Sequence, residues 1–518
     1  MSARAQAVRN TLFSSVGIYT EYLLGMLVSI VIARHLGPKS FGTYALAVWM
    51  VSLGVAATSS GSAAAVTKFV AELRGAGRED LIAPLLTYLR RRQLFYVVGV
   101  AVVGAGVLLA AGNRIAPTLD HLMLYALLVT AVSLRAPYMF NVNVAKGFEN
   151  FRATATIAAV ATPINLALAT SAWLLDAPVE GFLAAYAISS AVFYLISRQQ
   201  IARFAPKATG EEEPLPPELL RRIRRHIRIT TAGFTLSFFT ASEMEVALLG
   251  MFDTVASAGQ YKVGFQLASG ASLLVPGVFA AILLPMMATS LSQGREVAVR
   301  RFSASTVYLA LLSAPLIAFG LLLAHPTILF LYGTAYAAAV PVLAACLYSG
   351  SLSTIAQSAQ SLLMSADHQH SMLMVSVVCG ILKTTLGILL IMRFGLHGAV
   401  MSSIVVASVY FALYMTVGLR VSGARFPWRR ISRVLLAGIG AIAIAYPLSL
   451  LTQPLAALLA GGATLALAYA LLTFAFGCWS RADIEYIKGL HRRVAADRPR
   501  ALAGFLDWAR ARAAEDFL

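Results

Sequence analysis

The chain has 518 residues, 59% of them hydrophobic and 12% charged. Soluble domains carry about 25% charged and about 45–50% apolar residues, so composition excludes an ordinary cytosolic enzyme and a disordered chain. The net charge of +18, from 41 Lys+Arg against 23 Asp+Glu, has no soluble domain on which to act, and no nucleic-acid partner is expected.

The apolar residues form long runs and not alternating ten-residue segments, which excludes a transmembrane β-barrel. The expected fold is all-α and polytopic. A spanning helix needs about 20 apolar residues, and fourteen such stretches follow in chain order. They cover 11–33, 41–66, 94–113, 121–143, 153–175, 180–197, 229–252, 258–286, 303–324, 339–363, 372–392, 398–419, 434–450 and 456–478. The first is too long for a cleavable signal and reads as an uncleaved span. After span six, Glu211-Glu212-Glu213-Pro214 begins a linker, and Arg221 to Arg228 form a basic amphipathic helix on the membrane surface. Residues 481–518 read as an amphipathic tail.

Lys and Arg assign sides. On one side lie 34 of the 41 basic residues, on the other only Arg34, Lys39, Arg114 and Arg393, and three (Arg135, Lys262 and Lys383) fall within spans. The positive-inside rule makes both termini cytoplasmic, as an even number of spans requires.

A weak internal duplication runs through the chain. Gly42-Thr43-Tyr44 recurs as Gly259-Gln260-Tyr261, and Gly181 as Gly398, both at an offset of 217. Gly147-Phe148-Glu149-Asn150 aligns with Ser365-Ala366-Asp367-His368, and Asn165 with Lys383, both at 218. Six spans per copy is even, so the copies are parallel repeats, an arrangement used by transporters. The expected organisation is a six-helix lobe over 1–200, a linker and amphipathic helix over 201–228, and a second six-helix lobe over 229–420. Two extra spans over 421–480 and the tail complete it.

The run Ala33-Arg34-His35-Leu36-Gly37-Pro38-Lys39-Ser40-Phe41-Gly42-Thr43-Tyr44-Ala45 resembles the signature after the first span of Wzx-type oligosaccharide flippases. These are members of the multidrug/oligosaccharidyl-lipid/polysaccharide (MOP) exporter superfamily. Leu249-Gly250 through Tyr261 and the turn Gly147 to Phe151 are similar to later family segments. The resemblance implies two lobes around a central cavity in the bacterial cytoplasmic membrane. It also implies alternating access that moves polyprenyl-diphosphate-linked oligosaccharide from the inner to the outer leaflet. Implied partners are that lipid-linked oligosaccharide, membrane lipids, a polysaccharide polymerase and a chain-length regulator.

An ionisable residue inside a span costs about 2.5–3.5 kcal/mol on insertion scales, so each is a functional candidate. Arg135 and Lys383 suit a diphosphate, one as a bidentate fork and the other as a point charge. Lys262 and Lys68 are further cationic candidates, with snorkelling and orientation as alternatives. Glu21 and Glu243 are candidates for a coupling proton or for counter-ions to Arg135 or Lys383. Glu245, two residues beyond Glu243, is expected on another helix face. Asn141, Asn165, Gln266 and Gln357, with Tyr44 and Tyr261 as stacking platforms, are candidate sugar contacts. Helix-to-helix hydrogen bonding is the other reading of the amides.

Cys346, Cys379 and Cys478 lack metal spacing, and no phosphate loop, zinc motif or nucleophile elbow occurs. No cofactor, metal or enzymatic activity is expected. A multidrug cation antiporter of the same superfamily and a non-transporting scaffold of a glycan-assembly complex remain alternatives.

Overall fold

The computed structural model describes residues 3–115, 120–206, 214–241, 243–274, 277–495 and 500–513. Among them, sixteen α-helices occur and no strand. They are α1 (Ala3–Gly75), α2 (Ile82–Ile115), α3 (His121–Gly147), α4 (Phe151–Leu174), α5 (Val179–Ile201), α6 (Pro217–Ala241), α7 (Met244–Phe252) and α8 (Val255–Leu274). Then come α9 (Gly277–Gln293), α10 (Arg295–Tyr332), α11 (Val340–Ser365), α12 (Gln369–Ser422), α13 (Trp428–Ser449), α14 (Pro454–Ala475), α15 (Arg481–Ala495) and α16 (Arg500–Arg512). Nine helices among the described residues are long and apolar enough to cross a membrane, and the chain is a multi-pass membrane protein.

Two of these helices each hold two expected spans. In α1 the backbone folds at Gly37, with φ 68°, before Pro38. In α12 it folds at Gly395, with φ 53°. Both angles lie in the left-handed region that glycine enters without a Cβ penalty. One other expected span is broken. Residues 229–252 divide between α6 and α7, because Glu243 takes a left-handed conformation, φ 60° and ψ 0°. Over 258–286 the described residues form α8 and α9. The linker start, Glu211 to Glu213, lies outside the described residues. The basic helix after it is not separate, since α6 runs unbroken from Pro217 to Ala241.

The duplication is visible in backbone angles. Glu149 (φ 56°) ends α3 and Asp367 (φ 60°) ends α11, at the expected offset of 218. Each turn closes with the same reach-back bond, Asn150 N–H to Ala145 O (2.8 Å) and His368 N–H to Leu363 O (2.9 Å). Such bonds satisfy the orphan carbonyls of a helix end. Asp176 (φ 51°) and Gly395 mark the next pair of turns.

The fold divides into two compact units, residues 1–263 with 391–396, and residues 264–390 with 397–518. In the first, Phe69, Leu85, Leu89, Phe140, Ile223 and Ile227 share a buried core. Helix α6 docks on α1 at Gly61, where a Cβ would stand 2.0 Å from Thr231 Oγ1. Also in this unit, Gly42 and Gly259 meet face to face. A Cβ on Gly42 would lie 1.8 Å from the Val255 carbonyl oxygen, and one on Gly259 would lie 2.3 Å from that of Pro38. Val255 is Pro38 shifted by 217, so the crossing is symmetric under the repeat.

In the second unit, α13 and α14 pack on α10 through Leu323, Ala437, Ala441 and Tyr469, and Tyr469 Oη donates to Leu311 O at 2.7 Å. The tail is a helical hairpin. Ile484 of α15 and Leu506 and Ala509 of α16 bury against each other beside Phe474 and Trp479.

Candidate substrate site

Arg135 stands on α3 of the first unit, half-buried. On α5, Tyr186, Ser190 and Phe193 are spaced i, i+4, i+7 and therefore share a face. The Arg135 guanidinium carbon lies 4.9 Å from the Tyr186 ring centroid and 4.8 Å from that of Phe193. Tyr138, one turn along α3, adds a third ring at 5.9 Å. Arg135 Nε donates to Ser190 Oγ at 3.3 Å. Tyr44 of α1 meets Tyr186 edge-on at 6.5 Å. Each desolvated cation–π contact contributes about 0.5–2 kcal/mol, so the rings hold the guanidinium without neutralising it.

Glu21 of α1 supplies the carboxylate field at Arg135. Among the described residues, however, no acid closes on Arg135 to ion-pair distance. Tyr22, beside Glu21, feels the charges of both Glu243 and Glu21. Glu243 Oε1 in turn accepts from Lys262 Nζ at 2.5 Å.

The structure thus brings together Arg135, Glu21 and Tyr44, and separately Glu243 and Lys262, with Tyr22 electrostatically between the two groups. Glu243 pairs with Lys262, and among the described residues Arg135 has no carboxylate at ion-pair distance. Glu243 and Glu245 do not lie on one continuous helix, because the chain turns at Glu243. Glu243 is the left-handed residue before α7, and Glu245 is buried in the first turn of α7.

The remaining candidates are dispersed. Lys68 is exposed on α1, its Nζ 5.3 Å from the Phe69 centroid. Asn141 is buried and its Nδ2 donates to Ser197 Oγ at 3.0 Å, a helix-to-helix bond. Asn165 is half-buried on α4 and Tyr261 is buried on α8. In the second unit, Lys383 on α12, Gln266 on α8 and Gln357 on α11 are half-buried. Gln357 Oε1 is enclosed without a hydrogen-bond partner among the described residues.

Sequence reasoning found Arg135 but missed its cage of Tyr138, Tyr186, Ser190 and Phe193. The i, i+4, i+7 spacing on α5 was the available signal. An apolar cavity of about 480 Å³ in the first unit, lined by Trp49, Leu53, Val100, Tyr125, Val132 and Met251, carries no charge. No group of three or more His, Cys, Asp or Glu that would hold a metal occurs among the described residues.

Comparison with known proteins follows the same lines. A profile of the family described as polysaccharide biosynthesis protein matches residues 31–341, more than half of the chain. The lipid II flippase MurJ, in an inward closed conformation, has a similar structure at 11% identity. The match has a TM-score of 0.67 and covers 90% of this chain and 98% of that one. An inward-facing multidrug resistance MATE family transporter of the MOP superfamily matches at 13% identity and TM-score 0.62. It covers 79% of this chain and 99% of its own. A MOP superfamily transporter from Pyrococcus furiosus, described as having a binding pocket of reverse polarity, matches at 14% identity and TM-score 0.51, over 80% and 95%. No curated protein sequence matches at a significant level. At these identities the structural likeness establishes the fold, that of the MOP transporters.

Proposed function

Because the chain belongs to the polysaccharide biosynthesis protein family, we propose that it is a flippase for a polyprenyl-diphosphate-linked oligosaccharide. It carries a surface-polysaccharide repeat unit from the inner to the outer leaflet of the bacterial cytoplasmic membrane by alternating access. Both termini are cytoplasmic, following the 34-to-4 distribution of basic residues.

The observation that carries this reading is Arg135, a guanidinium gathered by three aromatic rings and one serine, with no acid at ion-pair distance among the described residues. Lifting a diphosphate out of water requires fixed cations to replace its hydration, and an arginine fork meets phosphate oxygens bidentately. Ser190 and the ring faces hold the fork in place. Lys262 offers a second cation once Glu243 releases it; Lys383 of the second unit is a separate cationic candidate. Glu21 balances Arg135 when no substrate is present. The sequence has no phosphate loop for nucleotide hydrolysis, so the driving force is an ion gradient or consumption of the carried glycan outside.

The test is complementation of a flippase-deficient strain. Arg135→Ala abolishes surface glycan, while Arg135→Lys retains part of it. Normal glycan from an Arg135→Ala protein present in the membrane at wild-type level overturns the reading.

A further inference from the structure

A second cationic site stands apart from Arg135, between α2 and α6. Arg92 Nη1 donates to Tyr88 Oη at 2.9 Å, and Arg92 Nε donates to Tyr96 Oη at 3.2 Å. From the other helix, Arg224 Nε donates to the same Tyr88 oxygen at 3.4 Å. Two guanidinium groups therefore converge on one phenol. Neither has a carboxylate within ion-pair distance among the described residues, whereas neighbouring Arg222 is paired with Glu72 at 2.9 Å. Two like charges on one neutral oxygen repel each other, and the remaining N–H groups of both forks are unused by the described residues.

The level of this pair in the fold is set by exposure. On α2, Leu94 (64%) and Phe95 (76%) begin an exposed apolar surface directly after Arg92. On α6, Ile229 (61%) and Phe234 do the same directly after Arg228. Both helices thus change from basic to apolar at matching points, the pattern of a membrane interface. Ile223 and Ile227, both fully buried, fix α6 so that Arg224 faces Arg92.

We propose that Arg92 and Arg224, gathered on Tyr88, form a clamp for the phosphate of an anionic phospholipid headgroup. The ligand chemistry is a phosphate oxyanion at the apolar boundary. A headgroup supplies both the charge and the acyl chains that meet Leu94 and Phe95. The site holds a structural lipid and is independent of the transported substrate.

The experiment uses the full chain in phosphatidylcholine nanodiscs and follows thermal unfolding as phosphatidylglycerol replaces phosphatidylcholine. Phosphatidylglycerol is expected to raise Tm. The Arg92→Gln/Arg224→Gln protein is expected to need about tenfold or more phosphatidylglycerol for the half-maximal shift, since each interfacial basic residue accounts for roughly a fivefold factor. Tyr88→Phe, which changes no charge, is expected to weaken the response several-fold. Arg225→Gln/Arg228→Gln, which removes the same charge but leaves the clamp intact, is expected to shift the midpoint several-fold less than the clamp variant. Equal losses in the two double variants, with Tyr88→Phe unchanged, mean a diffuse basic surface and overturn the clamp. Equal protection by inorganic phosphate in pure phosphatidylcholine assigns the site to a soluble phosphate and overturns the lipid.

Discussion

At the scale of single residues, charge and burial are in tension. His226 on α6 packs edge-on against Phe69 at 5.6 Å. Burial first, and the nearby Lys68 second, hold its imidazole below the usual histidine range. The folded state therefore resists protonation more than the unfolded one does. The α6 contact is at full strength above about pH 6.5 and weakens as pH falls below that value. The protection factor of α6, corrected for the intrinsic pH dependence of amide exchange, is expected to be lower at pH 5 than at pH 7.5, and His226→Gln is expected to remove the difference. An unchanged wild-type protection factor at the two pH values refutes the coupling. Cys478, just past α14, is buried, and that burial pushes its thiol up to about 11. The thiolate is the reactive form, so Cys478 is expected to resist maleimide at pH 7.5 in the folded protein and to label on denaturation. Arg135 was legible in the sequence because a charge in an apolar run is conspicuous by itself. Its cage was not, because tyrosine and phenylalanine at helical spacing read equally as core. The Glu243 and Lys262 pair was hidden for another reason, a left-handed residue that no glycine or proline announced.

At the scale of elements, close approach of backbones decides which substitutions the fold accepts. Gly42→Ala places a methyl group 1.8 Å from the Val255 carbonyl, and overpacking of this kind costs typically about 1–3 kcal/mol. A lowered Tm in detergent is the expected result, with Gly99→Ala, where nothing stands within 4 Å, as the neutral control. The tail hairpin shows the opposite balance. Its Arg510 to Glu485 pair, at 2.5 Å, is half-exposed, and such pairs contribute about 0–1 kcal/mol. Leu506 is almost fully buried, and truncating a buried leucine costs about 2–5 kcal/mol. Leu506→Ala is expected to make the tail sensitive to limited proteolysis, while Glu485→Gln leaves it resistant. A resistant Leu506→Ala beside a sensitive Glu485→Gln would show that charge, not packing, holds the hairpin.

At the scale of the whole molecule, the duplication makes a topological prediction. Turns related by the repeat lie on the same side of the membrane if the copies are parallel. Alkaline phosphatase fused after Asp176 or Gly395 is expected to be active, and fused after Glu149 or Asp367 inactive. Opposite results within either pair refute parallel repeats. Hydropathy was enough to place the helices, because each apolar run dictates one. The span over 229–252 was misread as a single helix because hydropathy does not register the left-handed backbone at Glu243. The duplicate turns at Glu149 and Asp367 keep a positive φ while their residues differ, and Asp176 and Gly395 have positive φ at an offset of 219. The same divergence places a solved relative at 11% identity beside a TM-score of 0.67.

The crossing of Gly42 and Gly259 has a mechanical consequence. Most of the contact is main chain against main chain, with the Val255 side chain also set against Gly42. The core around Phe69 and Phe140 is held by interdigitated side chains, whereas this seam is a face-to-face fit of backbones, like a ground-glass joint.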